Sequence, residues 1–187
     1  MNTDKICIFT DTGKMHTIKA VDIPLGRFRD KGTPVDNLSN YDSSQERMLY
    51  VAPVGQLRSD RLLFVTKTSM CKLVEGAEFD VAKRTIASTK LADGDELIFI
   101  GSASEMEQIV LQSHGGCFLR FLTQEVSTMK KTALGVRGMK LADDDYLEHA
   151  YLLAGHQEYT ISYHDKEYAL NKVRLAKRDT KGIKPRI

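Results

Sequence analysis

Short apolar runs separated by polar turns recur along the whole chain. Their lengths, and their content of Ile, Val, Leu, Phe and Tyr, are typical of strands. The runs lie at 5–10, 62–66, 109–111 and 159–163. Each is followed by a short turn with glycine or small polar residues and then by a partner run, which predicts a β-hairpin. The partner runs lie at 15–19, 71–74, 117–121 and 168–173.

A second set of apolar segments follows each of these predicted hairpins. The first members lie at 33–37, 86–91, 136–141 and 183–187, and they lead into 47–52, 96–101 and 149–153. The stretch from Met106 to Tyr151 shows the whole unit, which we interpret as two hairpins joined by a basic, glycine-containing loop. The pattern allows helix only briefly, as around Ser102 to Gln108, because so short an apolar segment cannot sustain a long one.

The same unit can be laid over the chain four times. The copies span approximately 4–54, 60–103, 106–153 and 157–187, and the last stops half a unit short. Pairing Gly13 with Ser69 and with Gly115 gives a period of roughly 50 residues, within the range of propellers and similar arrays. We therefore expect one all-β domain over 1–187, with three complete repeats and a fourth that lacks its last hairpin.

Composition agrees with a folded array that does not enter a membrane. The chain has 187 residues, of which 42% are hydrophobic, so it can bury a sizeable core. Its longest apolar runs are far too short to span a bilayer, and Asp4 and Lys5 stand where a signal peptide would need apolar residues. A cytoplasmic protein is expected. The three cysteines Cys7, Cys71 and Cys117 fall in predicted strands and are expected to be buried, reduced thiols.

Net charge is only +2, but the cations are clustered. Residues 172–187 carry a net +6, and three further basic segments occur at a similar phase of the repeat. A single charged run is usually a solvated face, whereas four runs in phase predict a continuous stripe of the kind that binds nucleic acid. The candidate contacts are Arg27, Arg29, Lys31, Lys83, Arg84, Lys130, Lys131, Arg137, Lys140, Lys172, Arg174, Lys177, Arg178, Lys181, Lys184 and Arg186.

The sequence contains no pattern typical of a catalytic site. The Gly13-Lys14 pair is followed by Met15, where a phosphate-binding loop needs Ser or Thr. His156 and His164 are interpreted as surface residues, and the Asp93-x-Asp95 and Asp143-x-Asp145 pairs as turn formers rather than metal ligands. We expect no catalytic residue, no metal and no cofactor in this segment.

Two passages carry a resemblance to a known family. LQSHGGCFLRFLTQEVSTMKKTALGVRGMKLADDD and VAKRTIASTKLADGDELIFIG resemble blades of the C-terminal domain of the type IIA DNA topoisomerase A subunit, shared by DNA gyrase and bacterial topoisomerase IV. The family's hairpin, basic segment and turn correspond to Ser113 to Phe121, Lys131 to Leu141 and Ala142 to Tyr146, with Asp144 where the family usually has Gly. The opening repeat is similar, so the resemblance covers essentially the whole chain.

The resemblance implies a β-pinwheel, a propeller-like array of about three and a half to four blades that exchange strands, closed only partly into a ring. It also implies binding and bending of duplex DNA on a basic outer rim. The gyrase-type wrapping box has its nearest match at Ala176 to Gly182, which keeps three cations and the final Gly but lacks the Gln and the central Gly pair. Topoisomerase IV therefore fits better than gyrase.

For the parent enzyme, the resemblance implies an ATP-dependent DNA topoisomerase, an isomerase of the bacterial cytoplasm and nucleoid. Its partners would be duplex DNA, the ATPase B subunit of the holoenzyme and the remaining domains of its own polypeptide, with ATP and Mg²⁺ needed only by the complete enzyme. None of the seven tyrosines follows an arginine, as the family's cleaving tyrosine does, so this segment is expected to be non-catalytic. The alternatives left open are a propeller-like protein-interaction module without DNA binding and an enzyme on a propeller-like scaffold.

Overall fold

Strands dominate the part of the chain that this computed structural model describes, residues 4–155 and 157–185. The strands are β1 Lys5–Thr10, β2 Lys14–Lys19, β3 Met48–Pro53, β4 Arg61–Thr66, β5 Met70–Glu75, β6 Thr85–Ala87, β7 Leu97–Ser102, β8 Gln108–Ser113, β9 Phe118–Leu122, β10 Val136–Arg137, β11 Leu147–Leu153, β12 Thr160–Tyr163 and β13 Lys166–Ala169. Two single-turn α-helices are α1 Val35–Leu38 and α2 Val54–Leu57. Single 3-10 turns lie at Ala20–Asp22, Gly76–Phe79, Thr123–Glu125 and Leu170–Lys172.

The strands form four small antiparallel sheets. Their orders are β3-β1-β2-β6, β10-β5-β4-β7, β11-β8-β9 and β12-β13. The hairpins β1–β2, β4–β5, β8–β9 and β12–β13 confirm the four hairpins predicted from the apolar runs. The all-β, propeller-like fold class is therefore confirmed.

Each of the first three sheets is completed by a segment from the following repeat. Ile86 of β6 pairs with Met15 of β2, Val136 of β10 pairs with Cys71 of β5, and Ile183 bridges to Phe118 of β9. This is the strand exchange that the resemblance implied. The second hairpin expected within each unit was wrong, because β10 and β11 pair with different sheets. A two-residue strand gains more from the open backbone edge of β5 than from a local partner.

Neighbouring sheets stack on each other through both of their faces. In β4, Leu62 and Phe64 pack toward the first sheet, whereas Leu63 and Val65 pack toward the third. All four side chains are fully buried. Because successive side chains point to opposite faces, burial on both sides requires a continuous apolar run. This explains why the runs in the sequence are unbroken rather than alternating.

The two ends of the array are polar and do not stack on a further sheet. Residues 35–47 fold across the outer face of the first sheet, where the buried His16 imidazole Nε2 lies 2.8 Å from Glu46 Oε1 and the His16 ring centre 6.2 Å from that of Tyr41. On the fourth sheet, Thr160 and Ser162 point away from the core and are exposed. Such polar end caps are typical of repeat arrays, and they leave the described chain as a partial ring.

Three local features differ from the pattern read from the sequence. Residues 33–37, expected to be a strand, instead lead into α1, because no preceding sheet offers an edge and Pro34 cannot donate to a ladder. The stretch 102–108, where the sequence allowed a brief helix, has none in the described chain, and β8 begins at Gln108. The partner run 168–173 is shorter than expected, because β13 ends at Ala169 and a 3-10 turn follows.

Turn geometry corrects the repeat register by one residue. Gly13, Ser69 and Gly116 share a left-handed backbone, with φ of 75°, 72° and 79°, so Gly116 rather than Gly115 is the equivalent of Gly13. As a consequence, Cys71 and Cys117 do not occupy the same position. All three cysteines are free; Cys7 and Cys71 are buried as predicted, whereas Cys117 precedes β9 and is half-buried. Burial raises the pKa of the Cys7 thiol to about 11 and that of Cys71 to about 12.

Gly76 allows the 3-10 turn after β5 to approach the corner that follows α2. Its N–H donates to the Asp60 carbonyl at 2.8 Å. A Cβ placed on Gly76 would lie well inside van der Waals contact with the Leu57 carbonyl oxygen and 3.0 Å from that of Asp60. Both contacted atoms are backbone carbonyl oxygens, so an added Cβ could be accommodated only by a shift of the corner after α2 or of the 3-10 turn, which also carries Glu78.

We expect Gly76→Ala to lower the free energy of unfolding by about 1–3 kcal/mol, the usual cost of overpacking a filled site. Gly55 lies in α2 with nothing within 4 Å of an added Cβ, and it serves as the matched control. Gly55→Ala should be neutral or stabilising by up to about 1 kcal/mol. Urea unfolding of both variants measures the difference, and equal midpoints would contradict this account of Gly76.

Candidate nucleic-acid interface

The basic segments lie along the outer edge of the stacked sheets. At the opposite edge, β7 lies against both β3 and β11, so these strands are innermost. The exchanged strands β6 and β10 occupy the far edge of their sheets. The segments predicted to bind nucleic acid flank these exchanged strands, and strand exchange therefore brings cations from successive repeats to one edge.

Three lysines at equivalent positions project from this edge. Lys83, Lys130 and Lys177 follow each other at intervals of 47 residues and are all exposed. Lys130 is 82% exposed, with its Nζ 3.4 Å from Glu78 Oε1. Exposed lysines on one edge leave flexible positive charges available to a polyanion. We call Lys83, Lys130 and Lys177 the lysine row.

The residue after each row lysine contacts the 3-10 turn of the preceding repeat. Arg84 Nη2 donates to Asp22 Oδ2 at 3.4 Å, and Lys131 Nζ lies 3.9 Å from Glu78 Oε2. Arg178 donates from its backbone N to Glu125 Oε2 and from Nε to the Glu125 carbonyl, both at 3.0 Å. Each carboxylate belongs to the 3-10 turn of the preceding repeat.

Backbone hydrogen bonds join the basic segments of successive repeats. The Lys90 N–H donates to the Lys131 carbonyl at 3.1 Å, and the Lys140 N–H donates to the Thr180 carbonyl at 2.9 Å. Lys90 and Lys140 are both exposed and occupy the same position after β6 and β10. Each therefore lies beside the basic segment of the next repeat, and positive charge continues from one sheet to the next.

Arg137 on β10 is engaged with Asp179. Its Nε donates to Asp179 Oδ1 at 2.5 Å and its Nη2 to Oδ2 at 3.1 Å, a bidentate arrangement. This hydrogen bonding raises the pKa of Arg137 and lowers the pKa of Asp179. The Arg137 carbonyl also accepts a hydrogen bond from Arg178 Nη1 at 2.5 Å. Arg137 is thus less free to meet a ligand than its position on the edge suggests.

The other predicted cations are exposed. Arg27, Arg29 and Lys31 lie in the connection before α1, where the Arg27 N–H donates to Asp30 Oδ2 at 2.6 Å. The remaining ones lie in the terminal segment and are Lys172, Arg174, Lys181 and Lys184. Arg186 lies outside the described residues. In the candidate wrapping box, Asp179 has φ of 66° and Gly182 has φ of 72°.

Sequence reasoning missed Lys72, which is buried beneath the basic segment. Its side chain is 1% exposed, and its Nζ donates to the carbonyls of Lys131 at 2.7 Å and Ala133 at 2.6 Å. Nζ also lies 5.8 Å from the centre of the Phe64 ring. Burial lowers the pKa of Lys72 to about 8. The sequence did contain a signal for this residue, because Lys72 interrupts the apolar run MCKLV at a position where the third repeat has the apolar Leu119.

The described residues offer no sign of a metal centre or a membrane span. No group of three or more His, Cys, Asp or Glu side chains converges within residues 4–155 and 157–185. In the same ranges, no helix has the length and apolar content needed to cross a bilayer. Asp95 and Asp145 have a structural role, because their carboxylates accept hydrogen bonds from the Thr68 and Gly115 backbone N–H groups.

A family model supports the resemblance seen in the sequence. The model described as DNA gyrase C-terminal domain, beta-propeller, matches residues 4–43, 60–104 and 107–154. These three ranges follow the first three repeats and cover well over half of the chain.

Individual relatives agree with this match. The DNA gyrase A subunit of Ureaplasma parvum serovar 3 is 28% identical over 95% of this chain and 22% of its own length. The DNA gyrase A subunit of Salmonella typhimurium is 32% identical over 76% of this chain and 16% of its own length. A solved C-terminal domain of DNA topoisomerase IV matches the fold with a TM-score of 0.87, 24% identity, and coverage of 97% of this chain and 58% of that chain. This chain therefore spans about a fifth of the length of such curated relatives.

The buried Lys72 predicts a specific dependence of stability on pH. Its pKa is about 8 in the folded state against 10.5 as a free side chain, so the unfolded state binds more protons between these values. The contribution of Lys72 to the free energy of unfolding therefore rises with pH over that window, by at most about 1.4 kcal/mol per pH unit. The raised pKa values of the Cys7 and Cys71 thiols act in the opposite direction and are common to wild type and variant. The free energy of unfolding of wild type minus that of Lys72→Met should therefore rise with pH between about 8 and 10.5 and stay constant below about pH 8.

Chemical unfolding at several pH values from 7 to 10.5 measures the effect. Lys83→Met removes an exposed lysine and is the control, whose pH profile should run parallel to wild type. Parallel profiles for wild type and Lys72→Met would show that Lys72 does not titrate as described.

Proposed function

The chain belongs to the DNA gyrase C-terminal domain family, and from that premise we propose that it binds and bends duplex DNA along its basic outer edge. The observation that carries the proposal is the repetition of exposed cations at equivalent positions of successive sheets. Lys83, Lys130 and Lys177 recur once per repeat, with Lys90 and Lys140 beside them. A repeating row of positive charge is complementary to the repeating phosphates of a duplex.

Binding of this kind is largely independent of sequence. Lysines reach phosphate oxygens rather than base edges, and phosphate contacts position a protein without reading bases. An edge that curves around stacked sheets meets more phosphates when the duplex bends with it. We therefore propose a preference for long or bent duplexes and little preference for particular bases.

The parent protein that we propose is a bacterial type IIA topoisomerase, in which this segment belongs to the DNA-cleaving polypeptide. There the segment would guide DNA toward strand passage while cleavage takes place in another domain. ATP hydrolysis and Mg²⁺ would belong to the complete enzyme with its B subunit, in the cytoplasm. The relatives that are DNA gyrase A subunits support this proposal, although this chain spans only part of their length.

One observation favours the alternative of a protein-interaction module. Leu25 and Phe28 are fully exposed and Val21 is largely exposed, so the connection before α1 presents apolar side chains together with Arg27 and Arg29. Apolar side chains on a surface are common in protein interfaces. They do not recur in the other repeats, as the lysine row does, and this is why DNA is our principal proposal.

We expect the protein to bind a 60-base-pair duplex more tightly than a 20-base-pair duplex, as followed by fluorescence anisotropy. If the five exposed cations Lys83, Lys90, Lys130, Lys140 and Lys177 each neutralise one phosphate, the logarithm of affinity falls with the logarithm of salt with a slope of roughly −4 to −5. Duplexes of the same length but different sequence should have affinities within a few-fold of each other.

Lys67 provides a control away from the edge. Its Nζ is 2.9 Å from Glu96 Oε1 and 5.0 Å from the centre of the Tyr146 ring, among the acidic turns. Lys67→Ala should leave the slope unchanged. Binding that does not depend on salt, or no binding to any duplex at low salt, would refute the proposal and favour the protein-interaction module.

A further inference from the structure

We propose that the connection before α1 carries a wedge for DNA: the Phe28 ring inserts between two base pairs of a duplex, and the guanidinium groups of Arg27 and Arg29 hold the phosphates beside the opened step. We call residues 24–34 the wedge loop. The inference rests on the proposed function, because it assigns one contact within the proposed DNA-binding edge. That contact is aromatic, and its chemistry differs from that of the lysine row.

Both ends of the connection before α1 contact the segment around the exchanged strand β6. Asp22 Oδ2 accepts a hydrogen bond from Arg84 Nη2 at 3.4 Å. Asn40 Nδ2 donates to Thr85 Oγ1 at 3.0 Å, and Thr85 is the first residue of β6. Residues 23–39 therefore leave the outer edge and return to it. The wedge loop lies within this excursion, on the same edge as the lysine row.

The internal repeat places Phe28 where the other repeats have a cation. The equivalent turn residues Gly13 and Ser69 are 56 residues apart, and the same offset takes Phe28 to Arg84. Two further steps of 47 residues reach cations again, namely Lys131 and Arg178. The position before it is basic in all four repeats, as Arg27, Lys83, Lys130 and Lys177. An aromatic residue thus replaces a cation at one place in an otherwise basic pattern.

A tight turn presents Phe28 at the tip of the wedge loop. The Asp30 N–H donates to the Arg27 carbonyl at 2.9 Å, and Asp30 Oδ2 accepts the Arg27 N–H at 2.6 Å. These hydrogen bonds close a turn whose two central residues are Phe28 and Arg29. The tip is therefore formed before DNA is bound, and a preformed contact loses less conformational entropy on binding than a disordered one.

The apolar side chains of the wedge loop lack cover. Phe28 and Leu25 are fully exposed. Burial of an aromatic ring against the flat faces of bases is favourable, because it removes apolar surface from water and adds stacking. Phe and Leu are among the side chains that unstack base steps and kink a duplex in DNA-bending proteins. Stacked base pairs therefore match what Phe28 and Leu25 expose.

The charge of the wedge loop favours DNA over an apolar protein surface. Arg27, Arg29 and Lys31 flank the ring, and Asp30 is the only acid in the sequence 24–34. An apolar partner would have to cover these cations without supplying countercharges, which is costly. Phosphates on both sides of an opened base step would instead neutralise them. The ring and its neighbours thus fit one ligand.

Three substitutions of Phe28 separate a wedge from an ordinary surface contact. Phe28→Ala removes the ring, Phe28→Leu keeps an apolar side chain, and Phe28→Arg introduces the kind of residue that the other repeats have at this position. Each changes one exposed residue outside the strands, so the fold should be retained, as circular dichroism and urea unfolding can check. Leu134→Ala is the matched control, because Leu134 is an exposed apolar residue in the basic segment of the third repeat.

The probes are two 60-base-pair duplexes, one fully paired and one with a central mismatch, each carrying 2-aminopurine beside the central step. This base fluoresces more strongly when it is unstacked. A mismatched step is easier to open, so wild type should bind the mismatched duplex about 5- to 10-fold more tightly than the paired one. Binding should also raise the fluorescence of the mismatched duplex.

Phe28→Ala should lose both the preference for the mismatch and the rise in fluorescence, while the salt slope on the paired duplex stays that of wild type. Phe28→Leu should keep part of both signals. Phe28→Arg should lose both, although its added charge should steepen the salt slope by about 0.9. Leu134→Ala should behave as wild type. Only a wedge predicts that a variant with more positive charge loses the unstacking signal.

Equal mismatch preference and equal fluorescence in wild type and Phe28→Ala would overturn the wedge. So would a wild type that binds both duplexes without either signal. In both cases salt-dependent DNA binding, and with it the proposed function, would stand, and Phe28 would instead fit the protein-interaction alternative. If wild type binds no duplex at low salt, the proposed function fails and the wedge fails with it.

Discussion

The structure depends on the backbone edge that each hairpin leaves open. The strands β2, β5 and β9 end their own hairpins with unpaired N–H and C=O groups, which are costly when buried and prone to unwanted pairing when exposed. The next repeat fills each edge, through β6, through β10 and through the bridge at Ile183. The sheet of one repeat is therefore complete only when the next repeat supplies its edge strand, and consecutive repeats form neighbouring sheets. The segment that crosses between two sheets lies at the outer edge, because the strand that it supplies is an edge strand.

The stacking of the sheets follows from the same strand exchange, and it determines whether each face of a sheet is apolar or polar. Interior sheets meet a neighbour on both sides, so the residues at the centres of β4 and β8 are apolar without interruption. End sheets meet a neighbour on one side only. The first sheet instead has His16 and Glu46 buried under residues 35–47, with Glu46 Oε2 accepting a hydrogen bond from Thr10 at 2.8 Å. Buried polar groups are tolerated there because each finds a partner.

Charge along the outer edge is less uniform than its composition suggests. Lys83, Lys130 and Lys177 are exposed, whereas the cation after each of them contacts the 3-10 turn of the preceding repeat. Lys72 adds a third kind, a buried ammonium group that holds two carbonyls of the basic segment from below. A formal count of positive charges treats these as equal, yet they differ in what they can reach.

Sequence alone determined the features that depend on local chemistry. Apolar runs of strand length predicted the four hairpins, the recurring unit predicted the repeats, and the matching motifs indicated the family. Turn chemistry was also accessible, although Gly115 was chosen in place of Gly116, because two adjacent glycines look alike until φ is known.

The tertiary structure alone decided which strands pair and which charges remain free. The sequence around Val136 and Arg137 does not indicate whether they pair within their own repeat or with Cys71 and Met70 of the preceding repeat. The choice rests on an edge more than sixty residues away along the chain. Lys130 and Lys131 are likewise indistinguishable as letters, and only the structure shows that the first side chain is 82% exposed and the second 29%. Such long-range contacts lie outside any local pattern, because they depend on how whole sheets stack.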